Sequence, residues 1–290
     1  MLYKIIAIYN RFLEFLYELF FQKQLLSLNV ITFGEYQLTG PQYLVNELEG
    51  DHFNYYLNAI TVLLNKTLDS RTKHAGNIIF IDVGANIGQT SLIFSQIDNS
   101  KVFSFEPYLE SYDLLNTNIS NNAINNIITF PYGLFSEDKK IGMGPPLNVT
   151  LFKRFDKKSL GMKSIYTNSL DCKVTLKKGD NLSFIKELKA LHILKIDVEG
   201  AELGVLRGLK KTIKRHSPFL LMEFSSNTLN NASNSKKQLI DCIKELGYKF
   251  VMNAGDLINN KWERNLSIID EYSFPEEGAP DLLFTDTNKY

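Results

Sequence analysis

Cysteine and histidine are scarce in this chain, which has two cysteines and four histidines among its 290 residues. Cys172 and Cys242 lie far apart and form no CxxC pair, and the histidines are scattered singly. Disulfide-rich domains and Cys/His zinc sites need several such residues at close, regular spacing. The sequence therefore indicates neither a disulfide scaffold nor a zinc centre.

An excess of charge is also missing, because 32 basic and 32 acidic residues cancel. The sequence has no basic patch interleaved with aromatic residues, which is the electrostatic signature of a nucleic-acid-binding surface. The composition, 44% hydrophobic and 22% charged, is that of a globular protein with a packed core. We therefore expect no nucleic-acid partner.

The segment 1–21 is rich in Ile, Leu, Phe and Tyr but has no long uninterrupted apolar run. Lys4, Arg11, Glu14 and Glu18 interrupt it well short of the roughly 20 residues that a membrane span requires, and their spacing puts them on one face of a helix. The pattern predicts an amphipathic helix that packs on the protein body or on a second subunit, with peripheral membrane contact as the alternative. Neither a transmembrane segment nor a secretory signal is predicted, so we expect a cytoplasmic protein.

Two regions of the chain differ in their patterning. From Asn77 onward, strand-like apolar runs alternate with helical patterns, which is typical of a doubly wound α/β sheet with helices on both faces. Residues 1–76 are interpreted as a mostly helical N-terminal extension, and 77–290 as the main domain. Within that domain, the prolines, glycines and lysines of 142–172 predict an irregular insertion.

The predicted elements follow from these patterns. Strands are predicted at 78–83, 101–105, 127–132, 192–196, 219–224, 248–252 and 281–285. Helices are predicted at 89–97, 109–120, 203–210 and 235–246. The extension is predicted to contain a short strand at 30–33 and a helix around 54–64.

The join between the strand 78–83 and the helix after it has the chemistry of a cofactor-binding turn. Gly84 and Gly88 lack a Cβ, so the backbone can turn sharply and a ligand can approach its N–H groups closely. The start of the next helix adds the positive end of its dipole. With Asp82 and Asn86 on the same turn, the sequence predicts a site for a polar or partly anionic ligand, and a tight turn without a ligand is the alternative.

Glu106 directly follows the predicted strand 101–105, so it lies at the carboxyl edge of the same sheet. An acid at that position can accept hydrogen bonds from a ribose, as in doubly wound folds that bind nucleosides. Gly84 and Gly88 do not form the G-x-G-x-x-G fingerprint that binds a pyrophosphate. Asp82 is instead well placed for a cationic amino group, such as that of S-adenosylmethionine. Together, the turn and the acid predict an adenosine-containing ligand.

A second group of charges begins at Lys195. Asp197 and Glu199 alternate with apolar residues, so all three charges point to one face if the strand continues that far. Buried ions without partners are costly, so these side chains are expected where the strand emerges into a polar cleft. Glu223 ends the neighbouring strand in the same way, and could meet the other carboxylates there. The structural alternative is that Lys195 pairs with one carboxylate and Glu202 supports the following helix.

Several motifs make the chain similar to a known family. They are Asp-Val-Gly-Ala-Asn-Ile-Gly at 82–88, Ser-Phe-Glu-Pro at 104–107 followed by Asn118 and Asn122, Leu-Lys-Ile-Asp-Val-Glu-Gly-Ala-Glu at 194–202 with Leu206 and Gly208, Pro218 leading to Glu223, and Asp-Leu-Leu-Phe at 281–284. In this order they resemble the FkbM-type S-adenosylmethionine-dependent methyltransferases over roughly residues 78–285. The chain departs from the family pattern just before Asp180, where it has Leu-Lys-Lys-Gly instead of a Leu-Asp-Asp motif.

The resemblance implies a class I, Rossmann-like methyltransferase fold with a seven-stranded sheet whose last strand is antiparallel. It also implies transfer of a methyl group to a hydroxyl of a sugar, a glycan or another small metabolite. The cofactor is then S-adenosylmethionine. Its candidate binding residues are Asp82, Gly84, Asn86, Gly88, Glu106 and Asp197.

Asp197 or Glu199 is the candidate general base for the hydroxyl proton, with Glu223 and Lys195 as charged neighbours. A divalent metal held by these carboxylates is an alternative that the nearby Lys195 disfavours, so no metal site is predicted. His192 lies at the other end of its strand and is expected to be structural. Two other functions stay open: a catalytically silent module for binding or assembly, and an NAD-dependent Rossmann enzyme, against which the missing fingerprint argues.

Overall fold

The computed structural model describes residues 28–41, 57, 58, 61, 63, 77–144, 164–166, 172–225, 235–254, 266–270 and 281–286. The predicted amphipathic helix at 1–21 lies outside these residues, so its role in packing, assembly or membrane contact stays a prediction. Of the predicted helix at 54–64, Leu57, Asn58, Thr61 and Leu63 are described, and all four are helical.

The elements are numbered here in chain order. The strands are β1 Leu28–Phe33, β2 Tyr36–Pro41, β3 Ile78–Val83, β4 Ser100–Phe105, β5 Ile127–Phe130, β6 Gly133–Phe135, β7 Lys139–Met143, β8 Cys172–Lys178, β9 Ile193–Ile196, β10 Phe219–Glu223, β11 Phe250–Asn253, β12 Ser267–Ile268 and β13 Asp281–Thr285. The helices are α1 Gln89–Ser95, α2 Leu109–Asn121, α3 Ser183–Lys186, α4 Glu202–Gly208, α5 Lys210–His216 and α6 Lys236–Glu245.

One large sheet organises the described residues, in the strand order β12-β11-β13-β10-β9-β3-β4-β5. The strands β5, β4, β3, β9 and β10 are parallel, whereas β13 is antiparallel to both of its neighbours. Strand β3 is buried at all six positions, which explains why it reads as a continuous apolar run. The predicted α/β fold around one large sheet is therefore confirmed.

Helices cover both faces of this sheet. Ile79 and Ile81 of β3 pack in one core cluster with apolar residues of α4, α5 and α6. Ile78 and Phe80 point the other way and pack in a second cluster with residues of α1 and α2. Alternate residues of one strand thus serve two cores, as the period of two requires.

Among the described residues, the large sheet has eight strands, one more than the seven implied by the resemblance. The additional strand is β12, which pairs antiparallel with β11 at the edge of the sheet. Both of its residues are exposed. Two exposed residues are too few to show the periodicity that identifies a strand in a sequence.

A second, three-stranded sheet in the order β6-β8-β7 was not predicted. It brackets the predicted irregular insertion 142–172, because β7 ends at Met143 and β8 begins at Cys172. Just inside the insertion, Gly144 and Ser164 form an isolated antiparallel bridge. The described ends of the insertion are therefore ordered by strand pairing, and its interior lies outside the described residues.

The described part of the N-terminal extension is mainly a β-hairpin, so the expectation of a mostly helical extension is not met there. Strand β1 confirms the short strand predicted at 30–33, and β2 pairs with it antiparallel. The hairpin packs on α2 through Asn118, whose Oδ1 accepts the Thr39 N–H at 2.7 Å and whose Nδ2 donates to the Thr39 carbonyl at 3.0 Å. The same Nδ2 donates to the Ile87 carbonyl at 2.8 Å. The domain boundary at 76/77 stays a prediction.

Helix α4 confirms the helix predicted at 203–210 to within two residues, whereas α5, which follows it after Leu209, was not predicted. The carboxylate of Asp180 accepts the Lys211 N–H at 2.8 Å and the Thr212 N–H at 3.0 Å. A carboxylate that binds the free N–H groups of a first turn stabilises a helix start. The region where the chain departs from the family pattern thus contains a buried residue with a structural role.

His192 also has a structural contact, since its Nδ1 accepts the Ile79 N–H at 2.9 Å. Burial lowers the pKa of His192, so the neutral ring is favoured. Across the described ranges, no helix combines the length and the apolar character needed to span a membrane.

Candidate functional site

A cavity lies at the carboxyl edge of the large sheet, where β3, β4 and β9 end. Its wall includes Gly84 and Asn86 from the turn after β3, Glu106 from the end of β4, and Asp197 and Glu199 from the segment after β9. The apolar part of the wall comes mainly from the small sheet and from residue 165: Phe135, Met143, Ile165 and Leu176. Ligands of open parallel sheets bind at this edge.

The glycine turn after β3 is shaped by its contact with Asp197. Gly84 has a φ of +83°, and a Cβ added to it would lie 1.8 Å from the Asp197 carbonyl oxygen. The Gly84 N–H donates to the Phe105 carbonyl at 3.0 Å. Only glycine fits here, because both the backbone angle and the close approach exclude a side chain. Gly84 therefore joins the ends of three strands at the cavity.

Glu106 is held in the cavity wall by two main-chain donors. Its Oε2 accepts the Asn86 N–H at 2.9 Å and its Oε1 accepts the Tyr108 N–H at 2.8 Å. Burial raises the pKa of Glu106 to about 7, although these two hydrogen bonds act in the opposite direction. Each oxygen keeps a lone pair that a ligand hydroxyl could use.

Asn86 adopts the left-handed conformation, with a φ of 50°. Its Oδ1 is buried and, among the described residues, has no hydrogen-bond partner. An orphaned buried acceptor costs roughly 1–3 kcal/mol, and such costs recur where a ligand supplies the missing partner. Asn86 thus has an unused acceptor at the cavity, and Asp82 Oδ1 is a second buried oxygen without a hydrogen-bond partner among the described residues.

Asp82 is placed behind the cavity rather than in its wall. It is 0% exposed, and its Oδ2 accepts the Ser91 hydroxyl at 2.6 Å. The Ser91 oxygen lies 2.7 Å from the Ser104 hydroxyl, and the Lys195 Nζ lies 3.9 Å from Asp82 Oδ1. Burial raises the pKa of Asp82, with Lys195 opposing the shift. Asp82 therefore fastens the turn to α1 and to the neighbouring strands.

Lys195 is buried next to Asp82 and donates to Asp197 Oδ2 at 3.0 Å. Burial alone would lower the pKa of Lys195, but the charges of Asp197 and Asp82 raise it overall. The side chain of Asp197 is 37% exposed and reaches the cavity. The pair thus connects the buried polar residues behind the turn to the cavity wall.

Glu199 and Glu223 extend this group of carboxylates. Glu199 has a φ of 50°, and its main-chain carbonyl accepts the Ser164 hydroxyl at 2.8 Å. Burial, and after it the nearby charges of Asp197 and Glu199, together raise the pKa of Glu223 to about 9. The protonated form of Glu223 is therefore favoured beside these two carboxylates.

Glu202 supports the turn that precedes α4. Its Oε1 accepts the Gly200 N–H at 2.9 Å, and its buried Oε2 has no hydrogen-bond partner among the described residues. Of the structural alternative, the Lys195–Asp197 pair is thus present, whereas Glu202 binds the turn before α4 and does not cap the helix. They occur together with a cavity that Asp197 and Glu199 line.

The buried Glu202 predicts a pH-dependent stability. Burial raises its pKa from 4.5 to about 7, so the folded chain holds this proton more tightly than the unfolded chain. The stabilisation is complete below about pH 4.5 and is lost as the pH rises through about 7, on the order of 3 kcal/mol in total. We measure the free energy of unfolding in urea at several pH values between about 5 and 8. For the Glu202→Gln protein, we expect it to fall less steeply with rising pH than for the unaltered protein. Glu187→Gln, which changes an exposed carboxylate, is the control. Equal slopes for both variants would contradict the assignment.

The sequence did not identify the apolar wall of the cavity. Met143, Ile165 and Leu176 come from the small sheet or from the edge of the insertion, where no motif singles them out. Ser164 is another such residue, because its bond to Glu199 joins positions 35 residues apart in the sequence. Among the described residues, no His, Cys, Asp or Glu side chains are grouped in a way that would hold a metal ion.

The sheet and the cavity at its carboxyl edge define a Rossmann-like α/β protein. The family model described as "Methyltransferase FkbM domain" matches residues 82–250, which is more than half of the chain. The chain belongs to this family, as the resemblance of its motifs predicted.

Two curated relatives match about half of the chain. One is the hexuronic acid methyltransferase AglP of Haloferax volcanii, 32% identical over 135 residues, which are 46% of this chain and 50% of that protein. The other is methyltransferase 1 of Beauveria bassiana, 30% identical over 144 residues, which are 44% of this chain and 57% of that protein. The chain thus spans about half the length of these curated relatives.

Two solved structures are similar to this chain at lower sequence identity. A methyltransferase FkbM from Methylobacillus flagellatus is 16% identical, with a TM-score of 0.42 over 84% of this chain and 57% of that one. Fibrillarin from Aeropyrum pernix, solved with natively bound S-adenosylmethionine, is 11% identical, with a TM-score of 0.39 over 90% and 83% of the two chains. The family assignment therefore rests on the match over residues 82–250.

Proposed function

We propose that this protein is an S-adenosylmethionine-dependent methyltransferase that methylates a hydroxyl oxygen of a sugar, a glycan or another small metabolite. Membership of the FkbM methyltransferase family supports the reaction type. The observation that carries the cofactor assignment is Glu106, a buried carboxylate that two main-chain N–H groups hold at the cavity beside the Gly84 turn.

The residues of the turn fit S-adenosylmethionine. Glu106 would accept hydrogen bonds from the ribose hydroxyls with its remaining lone pairs. The buried Asn86 Oδ1, which has no described partner, would accept from the cofactor ammonium group. Asp82, fully buried against Ser91, would act as an anchor of the turn rather than as a direct ligand. Gly84 and Gly88 would give the turn the backbone conformation that the cofactor needs, and Asp197 would form another part of the cavity wall.

The chemistry that the cofactor supplies is a methyl group on a sulfonium, which an acceptor oxygen can take while the bond's electron pair stays on sulfur. The protein has to hold the acceptor hydroxyl in line and receive its proton. Asp197 and Glu199 are the proposed bases, since both line the cavity. Glu223, whose pKa is raised by burial and by the charges of Asp197 and Glu199, lies near them, and Lys195 holds the Asp197 carboxylate through one oxygen. Positioning of this kind can contribute roughly 7–11 kcal/mol to lowering a barrier.

Glu106→Gln tests the cofactor assignment. The substitution removes the negative charge and replaces one acceptor oxygen with a donor, so a bound ribose would lose its charge-assisted hydrogen bonds. We expect the affinity for S-adenosylhomocysteine, measured by isothermal titration calorimetry, to fall by roughly 10- to 100-fold.

Glu202→Gln is the matched control for this experiment. Glu202 is also a buried carboxylate that accepts a main-chain N–H, and burial raises its pKa to about 7 as it does for Glu106. It does not line the cavity, so its substitution should leave the affinity unchanged. An unaltered affinity in a folded Glu106→Gln protein would remove the ribose role.

A further inference from the structure

The basic residues of this chain are concentrated in one segment, although the chain as a whole is neutral. Residues 136–178, which contain β7, β8 and the insertion between them, include ten of the 32 basic residues but only four of the 32 acidic residues. The net charge of this segment is therefore +6, and that of the rest of the chain is −6. Such an asymmetry indicates that one part of the surface faces an anionic partner.

Strands β7 and β8 show where part of this positive charge lies. Leu176 of β8 is buried and lines the cavity. Because successive side chains of a strand alternate between its two faces, Lys173, Thr175 and Lys177 point to the opposite face. Lys140 of β7 is paired with Thr175, so it lies on that face between the other two lysines. We call Lys140, Lys173 and Lys177 the lysine face; the first two are exposed and the third is half-buried.

The charges of this face are not neutralised by neighbouring acids. Among the described residues, the ammonium groups of Lys140 and Lys173 form neither an ion pair nor a hydrogen bond. Two acidic residues precede β7: Glu137 lies 3.2 Å from the Lys139 Nζ, and Asp138 accepts a main-chain N–H of β8 at 2.7 Å. Like charges at neighbouring positions of a sheet are unfavourable, so a partner that supplies the opposite charge would stabilise this face.

We propose that the lysine face docks on a membrane surface that carries anionic lipids. The proposal goes beyond the methyltransferase activity and does not depend on it. The same two strands supply Met143 and Leu176 to the cavity wall from their other face. Docking in this way would therefore leave only the thickness of the small sheet between the cavity and the lipid headgroups.

The composition of the face fits a membrane better than a protein partner. Between the lysines lie Thr175 and Gly142, so the face has no apolar centre. Protein interfaces have a desolvated centre that is depleted in lysine. An anionic membrane attracts lysine side chains through its surface potential and needs no such centre.

The same face is poorly suited to a nucleic acid. Surfaces that bind single strands combine basic residues with exposed aromatic rings on which the bases stack. Two rings lie beside these strands, and neither is free to stack on a base. Phe135 is buried, and the Lys177 Nζ covers the Tyr132 ring at 4.1 Å from its centroid.

The test measures binding of the full-length protein to vesicles by flotation. One set of vesicles is phosphatidylcholine alone, and the other contains about 30% phosphatidylserine. We expect binding to the anionic vesicles only, and its loss at about 1 M salt, where charges are screened within about 3 Å. Replacing all three residues of the lysine face by glutamine should lower the partition coefficient roughly 100-fold, since each lysine near an anionic surface contributes about fivefold.

The matched control changes the same number of charges elsewhere. Lys211, Lys214 and Lys237 are exposed on α5 and α6, and their joint replacement by glutamine should change the partition coefficient little. Both variants should keep the urea midpoint and the affinity for S-adenosylhomocysteine of the unaltered protein, because none of these side chains is buried or lines the cavity.

Four outcomes would overturn the proposal. They are the absence of binding to anionic vesicles, equal losses in the two variants, full binding by the variant of the lysine face, and binding of a single-stranded RNA oligonucleotide in place of vesicles. The third outcome would move the membrane contact to another segment. None of the four bears on the proposed methyltransferase activity, which the titration with S-adenosylhomocysteine tests separately.

Discussion

Replacement of Gly84 by alanine is expected to destabilise the protein by about 2–5 kcal/mol, the sum of a left-handed backbone cost and an overpacking cost. The φ of Gly84 is +83°, and the added Cβ would lie 1.8 Å from the Asp197 carbonyl oxygen. That neighbour is main chain between two elements, so a side-chain rotation cannot relieve the clash. The loss should appear in urea unfolding as a lower midpoint with an unchanged slope.

Gly247→Ala is the matched control for Gly84→Ala. Gly247 also has a left-handed backbone, with a φ of +106°, but an added Cβ would have nothing within 4 Å. Its substitution should therefore lower the free energy of unfolding only by the cost of the left-handed conformation, about 1 kcal/mol. The difference between the two variants measures the close approach of β3 and β9 at the cavity. Similar losses in both variants would show that this approach is not tight in solution.

Replacement of Lys195 by methionine is expected to cost about 3–5 kcal/mol, because it leaves a buried carboxylate without its cation. Asp82 is 0% exposed and lies 3.9 Å from the Lys195 Nζ, and Asp197 lies 3.0 Å from it. Methionine nearly fills the volume of the lysine side chain, so the loss reports charge rather than a cavity. Chemical unfolding at neutral pH measures it.

A second substitution distinguishes the charge effect from a packing effect. Asp82→Asn in the Lys195→Met background removes the unpaired charge, so it should restore much of the lost stability. Lys210→Met breaks an ion pair with Glu245 in which both side chains are well exposed, and it should have little effect. Failure of the double variant to recover any stability would rule out Asp82 as the group that depends on Lys195.

Strands buried on both faces were predictable from the sequence. The predicted bounds 78–83 and 281–285 agree with β3 and β13, whose apolar runs end at residues unsuited to a sheet interior. The small sheet was not predictable, because its strands pair across the long insertion. Gly133 pairs with Leu176, and Met143 pairs with Cys172. Local sequence patterns do not contain the information for such distant pairing.

The location of the candidate site was predictable because parallel strands end at the same edge. Glu106 and Asp197 follow their strands directly, and both line the cavity. Asp82 lies within β3 itself, in register with Ser104 on one side and Lys195 on the other. These three form a polar row across the sheet interior. A single sequence does not reveal that row, because it depends on the strand register.

Asn118 connects two segments that are remote from each other in the sequence. One amide nitrogen donates both to Thr39 in the hairpin and to Ile87, which lies between Asn86 and Gly88 in the glycine turn. The hairpin and the turn are therefore braced by the same side chain of α2. Residues 28–41 are therefore not an appendage to the α/β domain, because they complete the support on which its glycine turn rests.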